Sequence, residues 1–275
     1  MPAVTESQDF PAPDPSLDTD LSLALALADA ADEVTMARFG ALDLEVETKP
    51  DDSPVSDADR AAERAIRAVL EHRRPSDSVV GEEYGTTGDG PRRWVLDPVD
   101  GTKNFVRGVP VWATLVALME AGEVYVGVVS APALGRRWWA SRGQGAWMSA
   151  LAAQPRRLRV SAVRELADAS FAYSSLHGWD AAPGGREGLL ALDRQVWRSR
   201  GYGDFWQHML VAEGAVDAAA EPDVTLWDLA ALAVVVEEAG GRFTDLTGAR
   251  GPAGGNVLAS NGHLHDTVLA TLNGA

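Results

Sequence analysis

The hydrophobic pattern of this chain changes its period twice, and this succession limits the folds that are open to it. Two helices come first, predicted at about residues 20–39 and 57–74 from apolar residues at helical spacing. Short apolar runs between Gly- or Pro-containing turns follow at 78–81, 94–96, 111–119, 124–129 and 136–140, and they predict a largely antiparallel sheet. Beyond about residue 154 strands and helices alternate, which is typical of an α/β unit.

Three segments follow from these changes. We predict a mobile acidic arm at residues 1–19, an α+β lobe at 20–153 and an α/β lobe at 154–275. The first twenty residues hold five acidic residues, four prolines and no Lys or Arg, a composition that is typical of mobile arms. In the second lobe we expect strands near 170–173, 216–219, 241–244 and 257–260, and helices near 206–213, 228–239 and 264–272.

The charge and the composition exclude several classes of function. Lys and Arg number 24 against 40 Asp and Glu, so the net charge is −16, and this argues against binding to nucleic acid or to an anionic membrane surface. The absence of cysteine excludes disulfides, thiolate nucleophiles and Cys metal sites. Because no signal peptide and no apolar run of about 20 residues is found, we expect a cytoplasmic protein.

Three acidic clusters stand at the ends of apolar runs or at a helix start. They contain Glu82, the pair Asp97 and Asp100, and Asp228. The carboxyl ends of strands are where α/β proteins gather their ligands, so these carboxylates are candidates for a shared site. Each also has a simpler interpretation, because Glu82 suits a solvated surface position and Asp228 suits the N-cap of the following helix.

The segment from Asp97 to Thr102 is the most informative of the three. Pro98 fixes one turn residue and Gly101 permits a tight bend, so the carboxylates of Asp97 and Asp100 can point the same way. Two converging carboxylates repel each other unless a cation lies between them. Thr102 can open a short helix whose free N–H groups suit a phosphate. The alternative is an Asp-Pro turn with a solvated carboxylate.

The order and spacing of these motifs resemble the inositol monophosphatase-like phosphatases. The resemblance covers nearly the whole chain beyond the arm. It is carried by Gly81-Glu82-Glu83, by Trp94-Val-Leu-Asp97-Pro-Val-Asp100-Gly101-Thr102, by Trp227-Asp228, and by the weaker matches Ser53-Pro-Val-Ser-Asp-Ala-Asp59 and Glu238-Ala-Gly-Gly241. It implies a five-layered αβαβα sandwich, a homodimer, and Mg²⁺-dependent hydrolysis of a small phosphomonoester that Li⁺ inhibits.

The resemblance also implies roles for individual residues. It implies two overlapping sets of Mg²⁺ ligands, which are Glu82, Asp97 and the carbonyl of Val99 for one ion, and Asp97, Asp100 and Asp228 for the other. Glu82, Asp59 and Thr102 would orient water, some of it around a looser third ion. Gly101 and Thr102 would offer N–H groups to the phosphate, and Asp228 would contact the substrate as well.

A second stretch narrows the resemblance to one branch of the family. The segment Arg198-Ser-Arg200-Gly-Tyr-Gly-Asp204-Phe-Trp206 resembles the histidinol-phosphate phosphatases of actinobacteria and their relatives. Asp204 and Glu221 would then be acidic partners for the ammonium and imidazole groups of that substrate, with Arg200 bracing one of them. Each also has a simpler interpretation, a helix N-cap for Asp204 and a solvated loop acid for Glu221.

Two other functions compete with this hypothesis. One is hydrolysis of an inositol phosphate, a sugar bisphosphate or a nucleotide bisphosphate on the same fold. Asp204 discriminates against it, because polyol substrates carry no cation to pair with a carboxylate. The other is a binding or regulatory protein that has lost activity, and the complete set of acidic motifs argues against that class.

Overall fold

The computed structural model describes residues 19–50, 52–150 and 153–274. The predicted acidic arm lies outside the described residues except for Thr19. The two amino-terminal helices are α1 (Asp20–Arg38) and α2 (Asp57–Arg73), as the periodicity predicts. Both begin with capping boxes, in which Thr19 and Ser56 are the N-cap residues.

An eight-stranded sheet forms most of the first half. A short hairpin precedes it, made of β1 (Val46–Thr48) and β2 (Pro54–Ser56). The strands of the sheet are β3 (Ser78–Gly81), β4 (Gly85–Thr87), β5 (Arg92–Asp100), β6 (Ala113–Glu120), β7 (Glu123–Ala131), β8 (Arg136–Ser141), β9 (Gly145–Ala150) and β10 (Arg156–Arg157), and the helix α3 (Thr102–Val106) follows β5. Their order is β10-β9-β8-β7-β6-β5-β3-β4. Neighbours pair antiparallel except β3 and β5, so the largely antiparallel sheet is confirmed.

The second half contains a five-stranded mixed sheet. Its elements in chain order are β11 (Ser170–Tyr173), α4 (Gly185–Asp193), β12 (Arg198–Gly201), α5 (Asp204–Ala212), β13 (Ala218–Glu221), α6 (Leu226–Glu238), β14 (Arg242–Thr244), β15 (Val257–Ser260) and α7 (His265–Leu272). The strand order is β12-β11-β13-β15-β14. The first sheet takes in β10, which lies a few residues beyond the predicted lobe boundary at 153.

Three apolar clusters stack these elements into five layers. Leu27 of α1 and Ile66 of α2 pack with Trp94 on one face of the large sheet. Helices α5 and α6 fill the space between the two sheets, where Phe205 and Val235 are fully buried. Helices α4 and α7 cover the far face of the small sheet. The predicted αβαβα sandwich is therefore confirmed.

Several short elements escape the sequence patterns, for physical reasons. The predicted loop at 48–54 is confirmed as the turn of the β1–β2 hairpin, but the hairpin strands were missed, because the first is wholly exposed and carries no apolar alternation. Strand β12 has the sequence Arg-Ser-Arg-Gly, which shows no apolar alternation, and α4 begins with Gly-Arg-Glu-Gly, whose two glycines disfavour a helix. No helix within the described part of the chain is both long enough and apolar enough to cross a bilayer.

Candidate active site

The carboxylates singled out in the sequence converge beside the parallel pair β3 and β5. Asp97, Asp100 and Asp228 each offer an oxygen, and these three oxygens lie within 4.8 Å of one another. We call these residues the three-carboxylate cluster. Glu82 follows the end of β3, and its N–H donates to Leu96 of β5 over 3.2 Å, which places Glu82 beside the same strand end. One strand pair thus brings two of the three acidic motifs together, and α6 brings the third.

The turn after Asp97 has the tight geometry that its sequence predicts. The Val99 N–H donates to Asp97 Oδ1 over 3.0 Å, and the pairing of β5 with β6 is irregular between Asp97 and Asp100. Gly101 has φ 84°, and a Cβ there would lie 3.1 Å from the Val111 carbonyl oxygen. A side chain at position 101 would therefore strain the turn and crowd its neighbour.

Capping boxes fix the orientation of two further acids. Asp59 is the third residue of α2, and its Oδ2 accepts hydrogen bonds from the N–H and the hydroxyl of Ser56. Asp228 occupies the same position in α6, and its Oδ2 accepts from the N–H and the hydroxyl of Thr225. The N-cap of α6 is thus Thr225, and the interpretation of Asp228 as the N-cap is wrong. The second oxygen of Asp59 lies 3.1 Å from the Thr102 hydroxyl, and Asp228 contributes an oxygen to the three-carboxylate cluster.

The predicted short helix after Gly101 is confirmed, since α3 begins at Thr102. The Thr102 hydroxyl lies 3.1 Å from Asp59 Oδ1 and 2.9 Å from the Val99 carbonyl oxygen. A hydroxyl has one proton to donate and two lone pairs with which to accept. Whichever oxygen receives its proton, Thr102 can still accept a hydrogen bond from a water molecule.

A cavity of about 430 Å³ opens over these groups. Seven of the predicted site residues line it, namely Glu82, Asp100, Gly101, Thr102, Asp204, Glu221 and Asp228. Asp97 is part of the site because it belongs to the three-carboxylate cluster. Asp59 and Val99 are connected to the site through their contacts with the Thr102 hydroxyl. The structure therefore brings together all the predicted residues except Arg200.

Arg200 is the exception, and the prediction that it braces an acid of the site is wrong. Its side chain is exposed on β12, and its Nη1 donates to the Ser199 carbonyl oxygen over 2.7 Å. The residue lies near Asp204 in sequence, but an edge strand carries it and a turn separates the two. No ion pair between Arg200 and Asp204 or Glu221 is found among the described residues.

Asp204 is not the helix cap that its position allows. Gly203 is the N-cap of α5, and a free N–H of the first turn of that helix, on Phe205, donates to Asp100 Oδ2 over 2.8 Å. The Asp204 backbone is left-handed, with φ 49°, a conformation that Asp and Asn adopt at lower cost than other non-glycine residues. Its Oδ2 accepts a hydrogen bond from Asn104 Nδ2 over 3.1 Å, so α3 and β5 fix the start of α5.

Sequence reasoning missed two lysines at this site. Lys49 Nζ lies 2.7 Å from Glu82 Oε1 and 2.6 Å from Glu83 Oε1, and Lys103 lines the cavity. They are the only lysines in a chain with 24 basic residues, and that rarity was a usable signal. An ammonium between two carboxylates supplies positive charge at the edge of the acidic site.

The turn that carries Glu82 is held from behind by a buried acid. Glu63 of α2 accepts hydrogen bonds from the N–H groups of Glu83 and Tyr84 over 2.7 Å and 3.2 Å. A Cβ at Gly81 would lie 2.1 Å from Glu63 Oε1, so only glycine allows this close approach. No local pattern marks Glu63, because it lies inside an ordinary amphipathic helix.

Burial, together with the crowding of acids, raises several pKa values at this site. Burial, followed by the charges of Glu82 and Asp100, raises the pKa of Asp97 well above its usual value. Burial and the Asp204 and Asp228 charges do the same to the pKa of Asp100. Burial is also the main cause that raises the pKa of Asp204 to about 7 and that of Asp228 to about 6. A bound cation reverses these shifts, because it favours the charged form of each group.

These shifts predict how the stability of the metal-free protein depends on pH. The pKa of Asp204 is about 7 in the folded chain, against an ordinary 3.8, so over this range the folded chain binds more protons than the unfolded chain. Asp97 and Asp100 act in the same direction. With a chelator present, we therefore expect a higher Tm at about pH 5 than at about pH 8.

Differential scanning fluorimetry with and without Mg²⁺ measures this dependence. Mg²⁺ should raise Tm most at the higher pH, where the acids repel most strongly. The Asp204→Asn variant should show a smaller pH difference without metal. A chelated wild-type protein whose Tm rises steadily across this range would contradict the pKa shifts.

The donors of the site suit a hard divalent cation. Carboxylate and carbonyl oxygens are the ligands that Mg²⁺ prefers, and the three-carboxylate cluster presents its oxygens at the spacing of a shared ion. The raised pKa values of Asp97 and Asp100 indicate that the buried charges lack sufficient compensation from the protein itself. The residues present therefore fit a metal ion.

Comparison with known proteins decides the family. The model of the inositol monophosphatase family matches residues 16–275. This chain belongs to the inositol monophosphatase family. The family is metal-dependent, in agreement with the acidic cluster of the site.

Two relatives with high sequence identity to this chain are histidinol-phosphatases. The chain is 61% identical to the histidinol-phosphatase of Streptomyces coelicolor over 258 residues, which cover 92% of this chain and 97% of that protein. It is 62% identical to the histidinol-phosphatase of Mycobacterium tuberculosis over 256 residues, covering 92% and 98% of the two chains. The crystal structure of the extragenic suppressor protein suhB from Bartonella henselae matches with a TM-score of 0.82 at 32% identity, covering 92% of this chain and 98% of that one. This chain is accordingly a phosphatase with the inositol monophosphatase fold.

Proposed function

We propose that this protein hydrolyses L-histidinol phosphate to L-histidinol and inorganic phosphate with the help of Mg²⁺. The observation that carries the proposal is the presence of two further carboxylates, Asp204 and Glu221, in the cavity that also holds the metal-ligating acids. Histidinol phosphate has an ammonium and an imidazole at the end opposite its phosphate, so it can use both groups of acids. The similarity to two histidinol-phosphatases supports the same substrate.

The acids would hold two to three Mg²⁺ ions. Glu82, Asp97 and the Val99 carbonyl would bind one, and the three-carboxylate cluster would bind another. When bound there, Mg²⁺ supplies Lewis-acid stabilisation to the phosphoryl group and to the leaving oxygen. The backbone N–H groups of Gly101 and Thr102 would contact the phosphate oxygens.

The chain's own groups position the water that attacks. The Thr102 hydroxyl donates to Asp59 or Val99, and its lone pairs then accept a hydrogen bond from water beside Glu82. This arrangement orients a water oxygen for attack on phosphorus in line with the ester oxygen. As the water oxygen bonds to phosphorus, the bond between phosphorus and the ester oxygen breaks. The water gives up one proton and the ester oxygen gains one, so the ester oxygen leaves as the alcohol and the second water proton stays with the hydrogen phosphate.

The assignment to an active phosphatase is tested by phosphate release from histidinol phosphate. Protein treated with a chelator should release almost no phosphate, and addition of Mg²⁺ should restore turnover. Ca²⁺ at the same concentration is a suitable control, because it binds oxygen ligands but with looser geometry. Turnover at the full rate in the presence of a chelator would rule out the metal-dependent reaction, and no turnover with Mg²⁺ would favour a binding protein.

Inhibition by Li⁺ is a separate expectation. Family resemblance implies that Li⁺ replaces one Mg²⁺ in the three-carboxylate cluster after the product forms. We expect phosphate release from histidinol phosphate to fall as LiCl is raised at a fixed Mg²⁺ concentration, with NaCl as the control for ionic strength. Equal effects of the two salts would argue against this role for Asp228. The homodimer and the cytoplasmic location stay predictions.

A further inference from the structure

We propose that His208 and Gln207 are positioning residues that orient the Glu221 carboxylate toward the cationic end of the substrate. This inference rests on the proposed function, because it assumes that Glu221 binds a substrate cation. It adds two residues that lie behind the cavity wall to the machinery that selects the substrate.

Both residues contact the same oxygen of Glu221. Gln207 Nε2 donates to Glu221 Oε1 over 2.6 Å, and His208 Nε2 lies 2.9 Å from the same atom. The side chains of Gln207 and His208 are fully buried, whereas Glu221 lines the cavity. No hydrogen bond to Glu221 Oε2 is found within the described ranges, so that oxygen is left for a donor from the substrate.

The protonation of the ring follows from its surroundings. A carboxylate only accepts hydrogen bonds, so His208 must carry its proton on Nε2 to bind Glu221. His208 Nδ1 is buried and has no partner among the described residues, and an N–H there would be a donor without an acceptor. The Nε2–H tautomer of the neutral ring satisfies both conditions.

Two neutral donors orient Glu221 without cancelling its charge. An arginine or lysine in their place would form an ion pair and leave less negative charge for the substrate. The arrangement also leaves Gln207 Oε1 and His208 Nδ1 buried without partners in the described part of the chain, a cost that packing alone does not explain. We infer that the cost is retained because Glu221 must be held in place while it remains charged.

Helix α5 links both acidic residues of the cavity. Gln207 and His208 follow Asp204 by three and four residues in α5, and both Asp204 and Glu221 line the cavity. Asp204 lies close enough to Glu221 that the charge of Glu221 adds to burial in raising the pKa of Asp204. Helix α5 therefore carries Asp204 itself, and it positions Glu221 through the buried donors Gln207 and His208.

The test measures selectivity for a cationic substrate. The readout is kcat/KM for histidinol phosphate divided by kcat/KM for an aryl phosphate, which has no cation. His208→Phe keeps a ring beside Phe243 but removes the donor, and we expect the ratio to fall about tenfold, mainly through KM for histidinol phosphate. His208→Gln should restore most of the ratio, because its amide nitrogen can replace Nε2 as a donor. Gln207→Met is a second variant that removes the other donor, so the proposal can still be tested if His208→Phe does not fold.

A double-mutant cycle separates failure of this inference from failure of the proposed function. In a Glu221→Gln background, His208→Phe should change the ratio little, because its effect acts through Glu221. If Glu221→Gln alone leaves the ratio at the wild-type value, the proposed role of Glu221 in substrate binding fails. If Glu221→Gln lowers the ratio but His208→Phe and Gln207→Met reduce both activities equally, the two residues are only structural and the inference is overturned.

Discussion

Replacement of Asp97 by Asn is expected to lower kcat/KM for histidinol phosphate by at least about a thousandfold, or roughly 4 kcal/mol of transition-state stabilisation. Asp97 is the ligand shared by both proposed Mg²⁺ sites, so the neutral amide weakens two sites at once. No other carboxamide replacement among the ligands should cost as much. Because Asn has nearly the same shape, the turn at Val99 should keep its form.

The control for this variant is a half-buried acid that lies outside the cavity. Asp32 on α1 pairs with Arg137 and Ser130, so Asp32→Asn should reduce stability but leave kcat/KM within about twofold. Thermal shifts add a second readout, because Mg²⁺ should raise the Tm of the wild type and of Asp32→Asn but hardly that of Asp97→Asn. An Asp97→Asn enzyme with a tenth or more of the wild-type activity would contradict the shared-ligand assignment.

Replacement of Asp204 by Asn is expected to change substrate choice rather than chemistry. A charge-assisted hydrogen bond to a substrate ammonium contributes about 1.5–3 kcal/mol, so kcat/KM for histidinol phosphate should fall about 10- to 100-fold. Hydrolysis of a simple aryl phosphate should change little. Asn is the suitable replacement, because it tolerates the left-handed backbone at this position and keeps an acceptor for Asn104.

A neighbouring acid provides the matched control. Asp223 lines the same cavity but is exposed, so solvent screens its charge and Asp223→Asn should alter selectivity by no more than about threefold. Equal losses on both substrates in Asp204→Asn would mean that Asp204 serves the start of α5 and not the substrate. The hydrogen bond from Phe205 to Asp100 already fulfils the capping role, which is why we expect unequal losses.

The parts of the site that lie within one short segment could be predicted from the sequence. The segment from Asp97 to Thr102 combines two acids, a proline and a glycine, and each of these restricts the local backbone. The contacts that complete the site join residues far apart in the chain, 43 positions for Asp59 and Thr102 and 105 for Asp100 and Phe205. No local pattern encodes such contacts, although the resemblance to a known family identified most of the residues involved.

The lack of a local pattern for such contacts also explains why the sequence did not correctly identify the residues around the cationic end of the substrate. Arg200 is close to Asp204 in sequence, but a short edge strand without apolar residues carries it, so its direction could not be read from periodicity. Gln207 and His208 fall within the helix predicted near 206–213, and only the packing of α5 against β13 reveals their contact with Glu221. The fold was easier to predict, because the apolar faces of α1, α2 and α6 extend over many residues.

Direct competition between two substrates tests the central claim. An equimolar mixture of histidinol phosphate and inositol 1-phosphate, followed by ³¹P NMR in the presence of Mg²⁺, gives the ratio of the two kcat/KM values from a single reaction. Because only histidinol phosphate can pair its cationic end with Asp204 and Glu221, we predict that it is consumed at least about tenfold faster. Consumption of both at the same rate, or of inositol 1-phosphate first, would contradict the assignment of this cavity to a cationic phosphomonoester.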